Sequence, residues 1–167
     1  MASIIGVNEI QHTNGTSAAT VDSSGNFSIP EILKVPDVPY ALVDFGGSTY
    51  VSKTAGSVLD FDNIVEQNGT HYSTSTYEFT CPVDGIYMIS CGWLSQNTSD
   101  QVGIDVEKNG TRIFRNISTY RSGQFTNFNK CSANDTLRLK TSGAESIYEG
   151  TGTERYSYAC YALLFGS

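Results

Sequence analysis

The chain is poor in charge, and most of what charge it has is negative. Only 16% of its 167 residues are Asp, Glu, Lys or Arg, and ten basic residues against seventeen acidic ones give a formal net charge of −7. Nucleic acid and anionic lipid both want a positive face, so neither is an expected partner. The acidity reads as a solubility device. No run approaches the eighteen apolar residues of a membrane-spanning helix, and no membrane insertion is expected. Met1-Ala2-Ser3-Ile4-Ile5-Gly6-Val7-Asn8 has neither a basic n-region nor an apolar h-region, so it does not read as a signal peptide.

Catalytic residue types are equally scarce. The two histidines, His12 and His71, lack motif partners and read as polar surface residues. Glu145, Glu149 and Glu154 fall in a Gly- and Thr-rich stretch without ligand spacing, and no glycine-rich phosphate loop follows a strand-like run. Cys81, Cys91, Cys131 and Cys160 form no Cys-x-x-Cys pair and have no nearby His, which argues against zinc. Each sits in an apolar, strand-like context, so free buried thiols and one or two disulfides both remain open. No enzyme activity and no cofactor are expected.

What the chain does have is strand and turn. Ten Tyr, eight Phe and sixteen Gly accompany abundant Thr, Ser and Asn. Residues 1–36 are small and polar, with turn signals at Asn14-Gly15 and Ser24-Gly25-Asn26 separating pieces too short to fold alone. They form an arm for docking or inter-subunit pairing, with Ile4, Ile5, Val7 and Ile10 as its apolar contacts. Pro30, Pro36 and Pro39 lead into residues 37–167. There, short alternating runs recur without helical periodicity. Val102, Ile104 and Val106 alternate with Gly103, Asp105 and Glu107, and Asn109-Gly110 is a strong hairpin signal. Strands so spaced predict a sandwich or barrel.

The closing run Tyr158-Ala159-Cys160-Tyr161-Ala162-Leu163-Leu164-Phe165 has little polar character on either face. One face meets the core and the other needs a partner, the simplest being another copy. Tyr87 and Trp93, typical interface anchors, are assigned to the same contact.

Phe79, Pro82, Gly85 and Tyr87 reproduce an aromatic-x2-Pro-x2-Gly-x-Tyr pattern. It resembles the signature of the globular head of the first complement component's q subunit, in the tumour necrosis factor superfamily. Supporting segments follow in order. Phe61 precedes Asn68-Gly69 and Tyr72; Val106-Glu107-Lys108-Asn109-Gly110 resembles a family strand and its turn. Ala133-Asn134-Asp135 resembles an Ala-Gly-Asp turn, with Asn134 replacing Gly, and Tyr158–Leu164 resembles the closing aromatic strand. The likeness covers about residues 38–167. It implies an all-β, ten-strand jelly-roll sandwich that forms a homotrimer through aromatic strand faces, with Tyr87 at the threefold contact. Ile89, Trp93, Tyr158, Tyr161 and Leu163 complete the expected interface. Asp60 and Asp62, on either side of Phe61, are candidate calcium ligands such as some members use.

The signal peptide and collagen stalk usual in animal members are not seen. Residues 5–26 instead resemble the N-termini of tailed-phage structural proteins, marine ones especially. This implies a virion-surface protein assembled in the host cytoplasm, a capsid decoration or head spike whose arm docks on the major capsid protein or another virion protein. Thirty-six extended residues reach at most about 120 Å, which suits an anchor better than a fibre shaft. The alternative is the receptor-binding tip of a tail or head fibre, with Asn97, Tyr120 and Arg121 meeting a host glycan. The seven Asn-x-Ser/Thr sequons read as chance in a chain rich in Asn, Ser and Thr.

Overall fold

Period-two alternation becomes strand, and no helix occurs among the described residues. The computed structural model describes residues 9–11, 17–21, 23–28, 38–96, 101–150 and 154–166. The chain divides into two units, Met1–Pro36 and Asp37–Ser167. In the first, β1 (Glu9–Gln11), β2 (Ser17–Val21) and β3 (Phe27–Ser28) pair antiparallel in that order.

The second unit comprises β4 (Tyr40–Asp44), β5 (Tyr50–Lys53), β6 (Asn63–Asn68), β7 (Tyr72–Ser73), β8 (Glu78–Thr80), β9 (Gly85–Leu94), β10 (Val102–Lys108), β11 (Thr111–Ser118), β12 (Ser122–Cys131), β13 (Thr136–Thr141), β14 (Glu145–Tyr148) and β15 (Tyr158–Gly166). Ten of these make two five-stranded sheets, ordered β11-β10-β13-β8-β7 and β12-β9-β15-β4-β6. The expected ten-strand jelly roll is thus present, with a further two-stranded β14–β5 ladder.

Turn chemistry sets the registers. Lys108 pairs with Thr111 across a two-residue turn in which Asn109 (φ 51°) and Gly110 (φ 75°) are both left-handed. That requirement is why Asn-Gly is favoured there. Asn134 also takes a left-handed φ of 71°, holding the place where the family pattern has glycine. Asn tolerates this conformation better than other non-glycine residues because its short amide can bond locally.

The two sheets close on one core. Val102, Ile104 and Val106 of β10, Leu137 and Leu139 of β13, and Phe79 of β8 face Ala41 and Val43 of β4, Tyr87, Ile89, Cys91 and Trp93 of β9, and Ala159 and Tyr161 of β15. Burial of each large side chain here contributes roughly 1.5–3 kcal/mol.

Candidate functional site

The outer faces of the two sheets differ in kind. On the β10 sheet, Asp105 accepts from Arg115 through Nε (2.6 Å) and Nη2 (2.8 Å). Glu107 accepts from Arg138 (2.8 Å) and pairs with Lys140 (3.2 Å), while Arg138 also reaches Glu78 at 3.2 Å. Asp105 and Glu107 are themselves buried beneath these partly exposed cations, so each carboxylate is paired where it is shielded from water.

The outer face of the β9 sheet mixes apolar side chains with hydroxyl and amide groups. Cross-strand pairing lines up Phe128, Met88, Ala162 and Tyr40 as one row. A second row is Thr126, Ser90, Cys160 and Leu42, and a third begins Gln124, Gly92, Tyr158. Below them Ile86 pairs with Lys130 and Phe165. Phe128 is 59% exposed and Phe165 is 70% exposed. Met88, Ile86, Cys160, Ala162, Leu42 and Tyr40 are half-buried. Burial raises the Cys160 thiol pKa, so this cysteine sits on the face as a neutral, weakly polar group. Exposed apolar side chains grouped on one face favour self-association.

The expected interface residues divide by strand parity. Tyr87, Ile89, Trp93 and Tyr161 do not reach this surface: all point inward and are at most 2% exposed. The Tyr87 hydroxyl is spent locally, donating to the Val83 carbonyl at 2.9 Å. Burial raises the Tyr161 pKa, keeping its phenol neutral inside the core. These four are core residues and are corrected as such, because successive side chains of a strand leave opposite faces. Leu163 is half-buried and packs on the core edge. Tyr158 alone among the six lies on the outward face, its ring over Gly92, where an added Cβ would come 2.7 Å from Cε1. The residues missed, Ile86, Met88, Phe128 and Ala162, were available from parity. Once the signature Tyr87 is taken as core, its neighbours Ile86 and Met88 must face outward.

Other candidates fall in separate places. Ile4, Ile5, Val7 and Asn97 lie outside the described residues, and Ile10 is part of β1, paired with Ala19. Tyr120 is 76% exposed in the turn between β11 and β12. Arg121 donates through Nη2 to the Tyr50 hydroxyl at 3.0 Å. From there the rings of Tyr50, Tyr148 and Tyr156 follow at centroid spacings of 4.6 and 5.4 Å. The two calcium candidates have separate protein partners: Asp60 pairs with the Lys53 ammonium, and Asp62 accepts from the Gly46 amide at 2.7 Å. A cation would have to displace Lys53, so they do not make a shared site. Among the described residues no group of three or more His, Cys, Asp or Glu is arranged around a metal position.

A polar cleft of about 200 Å³ is lined by Asp44 of β4, Asn63 of β6, and Glu149, Gly150, Glu154 and Arg155 from beyond β14. Its Asp44 carboxylate already accepts from Asn63 Nδ2 (2.5 Å) and Arg155 Nε (2.7 Å), the geometry of a structural ion pair.

Comparison with known proteins agrees with this architecture. Two human proteins, complement C1q and tumor necrosis factor-related proteins 9A and 9B, are each 29% identical over 131 residues, covering 77% of this chain. The chain spans only 36% of the length of either relative. Among solved structures, Eiger TNF from S. frugiperda aligns with a TM-score of 0.62 at 8% identity, covering 78% of this chain and 95% of its own. Murine APRIL gives 0.57 at 14% identity, covering 77% and 100%. The globular domain of zebrafish complement 1qA gives 0.54 at 12% identity, covering 77% and 99%. The C1q domain model matches residues 46–144, more than half of the chain, and the chain belongs to the C1q domain family.

Proposed function

We infer that this chain is a non-enzymatic homotrimeric head, displayed on the surface of a virus particle as a capsid decoration or head spike. The trimer rests on one observation: the β9 sheet presents apolar rows outward while the β10 sheet presents paired charges. A lone sandwich has no reason to leave Phe128, Met88 and Phe165 in water, and a second and third copy give them cover. Trimers are typical of this fold, and C1q and tumour necrosis factor domains are non-enzymatic binding or structural modules. The virion context is supported by the likeness of residues 5–26 to tailed-phage structural proteins, with the arm as the docking element. Three arms gathered at one axis add avidity for a surface of threefold symmetry.

The test has two parts. Light scattering on the purified chain should give the mass of three copies, and a single-chain mass would end the trimer reading. Immunogold labelling of virions with antibody to residues 38–167 should then decorate the head.

A second reading, the receptor-binding tip of a tail or head fibre, is favoured by exposed Tyr120 beside the Arg121–Tyr50–Tyr148–Tyr156 run. Aromatic rings with polar edges stack on and hydrogen-bond to sugars. Gold confined to the tail tip, with glycan binding lost in Tyr120→Ala, would favour it over decoration.

A further inference from the structure

The outer row that begins Gln124, Gly92, Tyr158 is broken at its centre. Gly92 carries no side chain, and the Tyr158 ring leans into the place where one would stand. One residue along β12, Gly123 pairs with Trp93, and an added Cβ there would come 2.3 Å from Trp93 Cζ2. The indole lies against bare backbone because a glycine leaves it room. Around the two glycines opens a cleft of about 280 Å³, with Tyr156 and Ser122 on its rim. Sites for drug-sized ligands span roughly 300–1,000 Å³, so this one suits a single ring.

The lining narrows what that ring can be. It contains no Asp, Glu, Lys or Arg. The Gln124 amide, the Ser122 hydroxyl and the Tyr158 hydroxyl have no hydrogen-bond partner among the described residues. The Tyr156 hydroxyl, by contrast, is committed to Glu154 Oε2 at 2.5 Å, which sets a negative charge beside the rim. A phosphate or carboxylate would find no cation in the lining, and the net charge of −7 opposes it further. Aromatic rings with polar edges, next to uncommitted neutral donors and acceptors, match the C–H faces and hydroxyl rim of a pyranose.

We propose that this cleft seats one neutral hexose of a glycan chain, its C–H face on the Tyr158 ring and its hydroxyls on Gln124 and Ser122. This seat rests on the receptor-binding reading above and gives it a position and a substrate class. Tyr156 is also the end of the Arg121–Tyr50–Tyr148–Tyr156 run, so further sugars of the chain continue along those rings. The cleft lies two rows from Phe128 and Met88 and three from Phe165 and Ile86, away from the side chains assigned to the trimer contact.

The experiment uses the full chain, and its single tryptophan is the reporter, since Trp93 lines the cleft. Trp93 emission is followed during titration with the methyl glycosides of glucose, mannose, galactose and N-acetylglucosamine. Maltotetraose and chitotetraose serve as longer chains, and glucuronic and N-acetylneuraminic acids as acidic comparators. At least one neutral glycoside should shift the emission with a Kd of roughly millimolar size, and its tetrasaccharide should bind more tightly. Gln124→Ala and Tyr158→Phe should each weaken the single sugar about tenfold. Both leave the core untouched, and unchanged circular dichroism checks their folding. Tyr120→Ala should leave the single sugar within about twofold and weaken only the tetrasaccharide. Binding that survives Gln124→Ala and Tyr158→Phe but is lost in Tyr120→Ala would end the cleft assignment and leave the receptor-binding reading standing. Preference for the acidic sugars would overturn the neutral class. No binding by any sugar would end both the cleft and the glycan reading it rests on.

Discussion

Tyr161 of β15 stacks on Phe79 of β8 across the interior of the sandwich, with ring centroids 5.3 Å apart and planes inclined by only 4°. Tyr72 and Tyr87 approach the same pair, Tyr72 at 5.8 Å from Tyr161 and Tyr87 at 6.0 Å from Phe79. The aromatics that read as a threefold contact instead hold the two sheets of one protomer together.

Tyr161→Ala is accordingly expected to weaken folding rather than assembly. Emptying a fully buried ring site costs about 3–5 kcal/mol. Urea unfolding should show that loss. A folded, soluble monomer of undiminished stability would instead place Tyr161 between copies.

Met88→Asp and Phe128→Asp are expected to do the reverse. Each puts a carboxylate on the outward face, where desolvation in an interface is unfavourable by several kcal/mol. Light scattering should report single chains, with far-UV circular dichroism unchanged. Lys140→Ala, on the charged face of the other sheet, should leave the mass unaltered. A trimer that survives both aspartates would move the interface elsewhere.

Asn134 offers a test of backbone conformation alone. With φ at 71°, Asn134→Ala should cost about 1 kcal/mol, because alanine keeps the β-carbon but loses the short amide that eases the left-handed conformation. Asn134→Gly should be neutral within about 0.5 kcal/mol. The comparison of the two unfolding midpoints is the check. Equal effects would mean that the Asn side chain, not the turn, matters.

Asp135 should shape the acid limb. Its carboxylate is held below the ordinary range first by the Asn109 side-chain amide (2.7 Å), then by the Ser132 backbone amide (2.9 Å) and Lys108. A carboxyl depressed in the folded state adds stability that is complete above its unfolded pKa of about 4. That stability disappears as pH falls through the lower folded value. Asp135→Asn should therefore lose less stability than the native chain between pH 6 and about pH 2.5. Parallel acid limbs in urea titrations would contradict it.

Much of the architecture was legible because it depends on local chemistry. Alternation at Val102–Glu107 marked a half-buried strand, Asn109-Gly110 marked its hairpin, and the Phe79, Pro82, Gly85, Tyr87 spacing marked the family. The apolar run Tyr158–Phe165 marked a strand, and it forms as β15. The side-chain pattern of a strand repeats every two residues, so sequence separates its two faces without effort.

Which face turns inward is a different matter, and only the tertiary structure decided it. Tyr87 and Met88, or Tyr161 and Ala162, are equally apolar neighbours. Assigning one to the core requires knowing which sheet lies opposite, a relation between strands far apart in the chain. Composition and period determined the strands, their turns and the charge. Long-range pairing determined the core and the outward rows, because each arises only where distant segments pack together.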